Sequence, residues 1–288
     1  MRLPFLILAP ACVALGAATA EWTGSEINMF HLILCLVGAV SAHISVNALN
    51  EYSDFNSGLD FNTEPTPFSG GSGTLPEIPE RGHFALITGI ISLIVTVAVG
   101  IYFLYIIGLG LIPLGVLGLI IVVIYTDWLT RNPFLCLIAP GLGFGPLMVM
   151  GTDFVLSAAY SSTAFVASLV PFFLVSDLLL LNQFPDVEAD EGVGRRHLPI
   201  AIGVEASVKV YIFFLWAAYA TIILGYLSGM FPLYSFLALV TIALAIPTMK
   251  GVSKYAGDIP NLIPHMGKNV IINILTPVLL AIGLFVAG

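Results

Sequence analysis

Runs of about twenty apolar residues recur nine times along this chain, at 4–20, 29–49, 84–106, 109–126, 133–151, 160–181, 205–228, 232–248 and 269–287. Each is close to the ~20 residues that an α-helix needs to cross the hydrocarbon core of a bilayer. Of the 288 residues, 58% are hydrophobic and only 9% charged, against about 25% charged in a soluble domain. No soluble fold of this size hides so much apolar surface. In lipid, backbone groups must pair within their own segment, so the runs read as helices. The expected fold is an all-α, multi-pass membrane protein forming one domain over 1–288. Residues 1–20 also resemble a secretory signal, with Arg2, an apolar run and Ala18-Thr19-Ala20. The topology below favours a first transmembrane helix.

Orientation follows from the nine basic residues, Arg2, Arg81, Arg131, Arg195, Arg196, Lys209, Lys250, Lys254 and Lys268. With nine spans and a cytoplasmic N-terminus, all of them fall on the cytoplasmic side, as the positive-inside rule requires. The opposite loops carry Glu21, Glu26 and Asp153 but no Lys or Arg. Two connections, 50–83 and 182–204, are long and polar, and both lie on the cytoplasmic side. Long connections in a compact domain are usually functional.

The net charge of −8 is concentrated in those connections. It points to local carboxylate sites, and with no basic stripe it excludes a nucleic-acid partner. Cys12, Cys35 and Cys136 lie in apolar stretches with no zinc spacing and read as packing residues. The first connection opens on Asn47, Asn50, Glu51 and Asp54 and runs on to Asp60. If the second helix continues past Asn50, the first four share one face at i, i+3, i+4 and i+7. The second connection opens on Asn182, Asp186 and Asp190, spaced by four, with Pro185 expected to kink the helix. The motifs follow the second and sixth spans and read as a degenerate repeat. Repeats related by an axis along the membrane normal would set them face to face.

Facing carboxylate clusters suit diphosphate chemistry. Mg²⁺ takes one or two carboxylates plus phosphate oxygens and waters. Bridged to a diphosphate, it neutralises charge and improves the leaving group. Asn50, Glu51, Asp54, Asp60, Asp186 and Asp190 are the candidate metal ligands. Asn47, Asn182, Arg131, Arg195, Arg196 and Lys268 are candidates for the remaining diphosphate oxygens. A secondary transporter is the rival reading, but its ion sites would lie near the midplane rather than at helix mouths.

In these motifs the chain resembles the UbiA superfamily of intramembrane prenyltransferases. Asn47-x-x-Asn50-Glu51-Tyr52-x-Asp54-x-x-x-Gly58-x-Asp60 is most similar to the branch of 1,4-dihydroxy-2-naphthoate prenyltransferases. Glu51 stands where that family more often has Asp. The second motif, with Gly194-Arg195-Arg196-His197-Leu198-Pro199 after it, is similar too. So are the opening Arg2-Leu3-Pro4-Phe5-Leu6, Tyr125-Thr126, and Gly141-Leu-Gly143-Phe-Gly145-Pro146-Leu147. The resemblance implies nine helices around a central cavity capped by the two cytoplasmic loops. It implies Mg²⁺, a prenyl diphosphate and an aromatic acceptor as partners, in a cell membrane whose lipid borders the tail groove. 4-Hydroxybenzoate, homogentisate, haem, a chlorophyll precursor or a prenylated glycerol phosphate stay open as acceptors.

Other residues have expected places. Asp177 lies inside the sixth span, where an ionisable group is a functional candidate; it either lines the cavity as a catalytic group or bonds to a neighbouring helix. Together with Asp54, Asp186 and Tyr125 it makes up the candidate catalytic set. His43 is a candidate for the substrate pocket. His197 reads as loop surface, and Gly70, Gly71 and Gly73 as a connector or lid.

Overall fold

The structure, a computed structural model, describes residues 3–63, 65–71 and 73–288; Arg2 lies outside them. All regular structure among the described residues is helical. Among the described residues, eight helices are long and apolar enough to cross a membrane: α1 (Phe5–Trp22), α2 (Met29–Asn56), α3 (Pro79–Ile106), α5 (Pro133–Ser157), α6 (Ser162–Asn182), α7 (Val204–Leu227), α8 (Leu233–Tyr255) and α9 (Ile259–Ala287). Between α3 and α5 stands a shorter apolar helix, α4 (Leu109–Ile124). The sequence predicted nine spans, and α4 is the difference. It begins as a 3-10 turn, and only its 13 residues Ile112–Ile124 are α-helical. At 1.5 Å per residue these cover about 20 Å, short of a ~30 Å core.

Three boundaries depart from the sequence reading. Helix α2 does run past Asn50, to Asn56, and stops where Gly58 takes a left-handed conformation at φ 79°. That geometry lets Ser57 N–H and Gly58 N–H return to the carbonyls of Ser53 and Phe55. Helix α6 does not kink at Pro185 but ends at Asn182. Pro185 lacks an N–H and disfavours the helical region for Phe184. A separate short helix, Val187–Gly192, then carries Asp190, with Asp186 at its N-cap. Asn182 and Asp190 therefore do not share one continuous helix face, as the spacing by four suggested. Helix α9 begins ten residues earlier than expected, capped by Asp258, whose Oδ1 accepts Asn261 N–H at 3.4 Å, and with Pro260 in its first turn. Lys268 thus sits inside a helix rather than at its mouth.

Small residues govern the packing. Helix α1 presents Ala9, Leu15, Ala18 and Ala20 to the core, all 0% exposed, and packs on α9, α5 and α2. In α5, Gly141 and Gly145 abut α6: a Cβ on Gly145 would stand 2.4 Å from the Ser168 carbonyl oxygen. This is a small-xxx-small seam, which lets backbones approach where no hydrophobic effect drives helices together. A wide helical turn, Gly143–Met150, follows it around Pro146. The outer faces of α3 and α4 expose Ile90, Ile91, Ile94, Ile101, Ile120 and Val123. Such faces belong in lipid. The chain is an integral, multi-pass membrane protein.

Candidate active site

The first motif is built on the last two turns of α2. Asn50 Nδ2 donates to Asp54 Oδ2 at 2.8 Å, the i, i+4 contact its spacing allows. The hydroxyl of Thr126, just past α4, donates to Asn50 Oδ1 at 3.1 Å and so orients the amide. Asp60 follows the Gly58 turn and is buried. Burial, with the charge of Glu51 next and Arg195 opposing, pushes its carboxyl up to about 6.

The second motif comes back across the same mouth. Asp190 N–H bonds to the Asp186 carbonyl at 2.9 Å, closing the short helix. Arg195 then ties the motifs together. One of its guanidinium nitrogens pairs with Asp54 Oδ1, and the other donates to Asp190 Oδ1 at 2.9 Å. His197 Nε2 lies 3.0 Å from Asp190 Oδ2. This bridge spans the mouth and joins the end of α2 to the short helix of the second motif. The first long connection closes over it. Thr66 Oγ1 accepts from Phe68 N–H and Ser69 N–H at 3.1 and 2.8 Å, a side-chain-stabilised turn. That turn delivers Gly70 N–H to Asp186 Oδ2 at 3.0 Å. Gly71, at φ 68°, lies so close to Asp60 that a Cβ there would stand 2.6 Å from Oδ1.

Behind the mouth lies a cavity of about 610 Å³. Its walls come from α1 to α6 and the two long connections, while α7, α8 and α9 fill the other side of the bundle. Asp54, Asp60, Asp186, Asp190 and Arg195 ring the polar end, and Cys35, Phe103, Leu111 and Val155 lie at the apolar end. Cys35 and Asp54 are 19 residues apart on α2, which at 1.5 Å per residue makes the cavity about 28 Å long. It has the form of a polar head site with a long apolar tail.

Most of the expected site residues meet in this cavity. His43, Asn47, Asn50, Glu51, Asp54, Asp60, Tyr125, Asn182, Asp186, Asp190 and Arg195 all line it. His43 packs edge-on against Phe144 with ring centroids 4.8 Å apart. Four candidates stand elsewhere. Asp177 is fully buried and absent from the cavity wall. Val175, Leu178, Leu179 and Asn182 form the cavity face of α6, and at about 100° per residue Asp177 points to the opposite side. It lies within electrostatic reach of Tyr211 on α7. Arg131 and Arg196 are exposed outside the cavity, the latter held by its backbone N–H to the Thr130 carbonyl at 2.9 Å. Arg131 borders instead a small polar pocket of about 50 Å³ with Ser53, Asp127 and Arg195. Lys268 is half-buried in α9, away from the cavity wall.

His197 corrects the surface reading: it is 2% exposed, lines the cavity and lies against Asp190. Gln183, Thr130 and Gly70 also line the cavity, and the sequence did not mark them as ligand-facing. For Gln183 the signal was present, since it follows Asn182 at the end of an otherwise apolar helix.

Among the described residues no three His, Cys, Asp or Glu side chains converge closely enough to enclose a metal ion unaided. Mg²⁺ does not need such an enclosure. It is held by one or two carboxylates, with waters and substrate phosphates filling its octahedron. The donors at the mouth are carboxylate and amide oxygens from both motifs, and glycine at 71 leaves space beside Asp60. The residues present fit a magnesium–diphosphate group.

Known proteins are similar to this chain in sequence and in fold. Residues 7–256 match the sequence profile of the UbiA prenyltransferase family. The 1,4-dihydroxy-2-naphthoate octaprenyltransferase of Bacillus subtilis is 23% identical over 266 residues, covering 91% of this chain and 83% of that protein. The apo structure of a UbiA homologue from Aeropyrum pernix superposes with a TM-score of 0.73 at 17% identity, covering 100% of this chain and 99% of that one. A UbiA homologue from Archaeoglobus fulgidus, solved bound to GPP and Mg²⁺, superposes with a TM-score of 0.58 at 15% identity over 96% and 99% of the two chains. With the profile spanning nearly all of the helical bundle, this chain belongs to the UbiA prenyltransferase family and is a membrane prenyltransferase.

Proposed function

We propose that this chain transfers a prenyl group from a prenyl diphosphate to an aromatic acceptor in a Mg²⁺-dependent reaction, with 1,4-dihydroxy-2-naphthoate as the acceptor. The observation that carries the reading is the shape of the cavity, in which two acidic motifs line the head of an apolar groove about 28 Å long. A prenyl diphosphate has that same division, a charged head on a long apolar tail. Asn50, Glu51, Asp54 and Asp60 would hold Mg²⁺ from one side and Asp186 and Asp190 from the other. Bound there, Mg²⁺ would neutralise the diphosphate and ease its departure. Asn47, Asn182 and Arg195 face the same space and supply hydrogen bonds to diphosphate oxygens.

The chain's own residues do the rest. Leu59, Phe68 and the Gly70–Gly71 strap cover the head and keep water from the carbocation left after diphosphate departs. Apolar side chains from α2 to α6 sheathe the tail. Tyr125 and His43 border the groove below the head, where the aromatic ring would lie. Asp177 is sealed away from this space, which leaves acceptor deprotonation to groups at the mouth. The naphthoate assignment rests on the motif resemblance and on the name of the Bacillus subtilis relative. The basic residues at the end of the bundle that holds the mouth support a site at the cytoplasmic face of the cell membrane.

The test is an assay with radiolabelled prenyl diphosphates and a panel of acceptors, separated by thin-layer chromatography. Product is expected with 1,4-dihydroxy-2-naphthoate, and its Mg²⁺-dependent formation is lost in Asp54→Ala and Asp186→Ala. Transfer to another acceptor on the panel instead overturns the naphthoate assignment. Undiminished diphosphate release by both variants overturns the role of the motifs.

A further inference from the structure

Arg195 engages one oxygen of each of the two carboxylates it joins. Asp54 Oδ1 pairs with Arg195, and its Oδ2 accepts from Asn50 Nδ2 at 2.8 Å. Asp190 Oδ1 accepts from Arg195 at 2.9 Å, and its Oδ2 faces His197 Nε2 at 3.0 Å. One side chain therefore stands between the first motif and the second, on the oxygens that a cation would need. Its planar fork suits two carboxylates at once, which a lysine ammonium does not. Without a cation between them, the carboxylates would repel each other across a partly desolvated mouth.

The backbone at this point is pinned. Arg195 N–H bonds to the Asp190 carbonyl at 3.0 Å, and Arg196 N–H to the Thr130 carbonyl at 2.9 Å. Gly194, at φ 81°, makes the sharp turn that aims Arg195 back over the second motif. Any release of the two carboxylates is thus a rotation of the Arg195 side chain, with no loop movement required.

We propose that Arg195 is an internal counter-ion latch. In the metal-free site it substitutes for the divalent cation by tying Asp54 to Asp190, and it yields both carboxylates when metal and diphosphate enter together. Its guanidinium then turns onto the diphosphate. The latch makes metal binding depend on substrate: the cation alone must displace the guanidinium, whereas the diphosphate gives the guanidinium a new partner. This inference rests on the Mg²⁺-dependent reading above.

The experiment measures Mn²⁺ binding by electron paramagnetic resonance on the whole chain in lipid nanodiscs, without any diphosphate. Wild type is compared with Arg195→Gln, Arg195→Lys and the double variant Asp54→Asn/Asp186→Asn. Arg195→Gln is expected to bind Mn²⁺ about tenfold tighter than wild type, the equivalent of one charged hydrogen bond no longer in competition. Arg195→Lys keeps the charge but not the fork, and is expected to fall between the two; it decides the matter if the Gln variant does not fold. A merely structural role predicts weaker or unchanged Mn²⁺ binding in both variants, and that result overturns the latch. If the double variant binds Mn²⁺ as wild type does, the metal reading of the motifs fails, and the latch with it.

Discussion

Adding a single methyl group at Gly71 separates the cost of a strained loop from the cost of a displaced carboxylate. Gly71 and Gly73 both adopt left-handed backbone conformations, at φ 68° and 69°. Alanine at either position pays about 1–2 kcal/mol for that conformation. Their surroundings differ. A Cβ at 73 meets only Pro65 Cγ at 3.7 Å, an ordinary contact, whereas at 71 it would stand 2.6 Å from Asp60 Oδ1. A non-bonded carbon and oxygen do not approach so closely, so the Asp60 carboxyl must rotate. Turning it some 30° off its rotamer adds about 0.5–1.5 kcal/mol, and the carboxyl leaves the place where it would serve a metal.

Gly71→Ala is therefore expected to lower kcat/KM for the prenyl diphosphate about fivefold more than Gly73→Ala does, at roughly 1.4 kcal/mol per factor of ten. It should also raise the Mg²⁺ concentration needed for half-maximal rate, which Gly73→Ala should not. Initial rates over a Mg²⁺ titration, with thermal stability measured on the same samples, give both quantities. Equal rates and equal Mg²⁺ requirements for the two variants would refute the reasoning, because only a Cβ at 71 meets Asp60.

Two further outcomes follow from the same geometry. Asp60 is raised to about 6 by burial and by Glu51, so the folded protein holds a proton on it up to a higher pH than the unfolded chain does. Its ionisation thus weighs against the folded state as pH rises through that window, and metal binding must expel the proton below it. Apparent Mg²⁺ affinity is expected to fall as pH drops below about 6, by up to about tenfold per unit from this one group, and Asp60→Asn to flatten that slope; an unchanged slope in the variant counts against Asp60 as a ligand. In the α5–α6 seam, Gly145→Ala places a Cβ 2.4 Å from the Ser168 backbone oxygen, and overpacking of this kind costs about 1–3 kcal/mol. The variant should melt at a lower temperature than Gly143→Ala, whose Cβ meets nothing within 4 Å, and equal melting would refute the seam.

What was legible in the sequence, and what was not, divides by the range of the forces involved. Apolar length is a local property, so most spans could be read directly, whereas the run of α2 past Asn50, which sets its four motif residues on one face, was a condition that hydropathy left open. The missing length in α4 and the early start of α9 were also local, written in Gly108, Pro113, Asp258 and Pro260. They were masked because hydropathy alone set the limits. The cation that joins the motifs was not local at all. Arg195, Arg196 and Arg131 are alike as letters, and only the tertiary fold sends the first into the mouth and leaves the others outside.

His197 and Asp177 changed places for the same reason. A histidine in a polar connection reads as surface, yet the chain after Arg196 turns inward and buries it against Asp190. An aspartate inside a membrane helix reads as functional, yet its helical phase carries it away from the cavity wall. The phase of Asp177 could have been computed beforehand from Asn182, the one α6 residue already assigned to the mouth. Five residues separate them, about 500° of helix or 140° beyond a full turn, so one side chain facing the cavity required the other to face away. In a bundle of this kind, a single residue fixed at the mouth orients the whole helix behind it. An intramembrane charge is best judged against that anchor before its chemistry is considered.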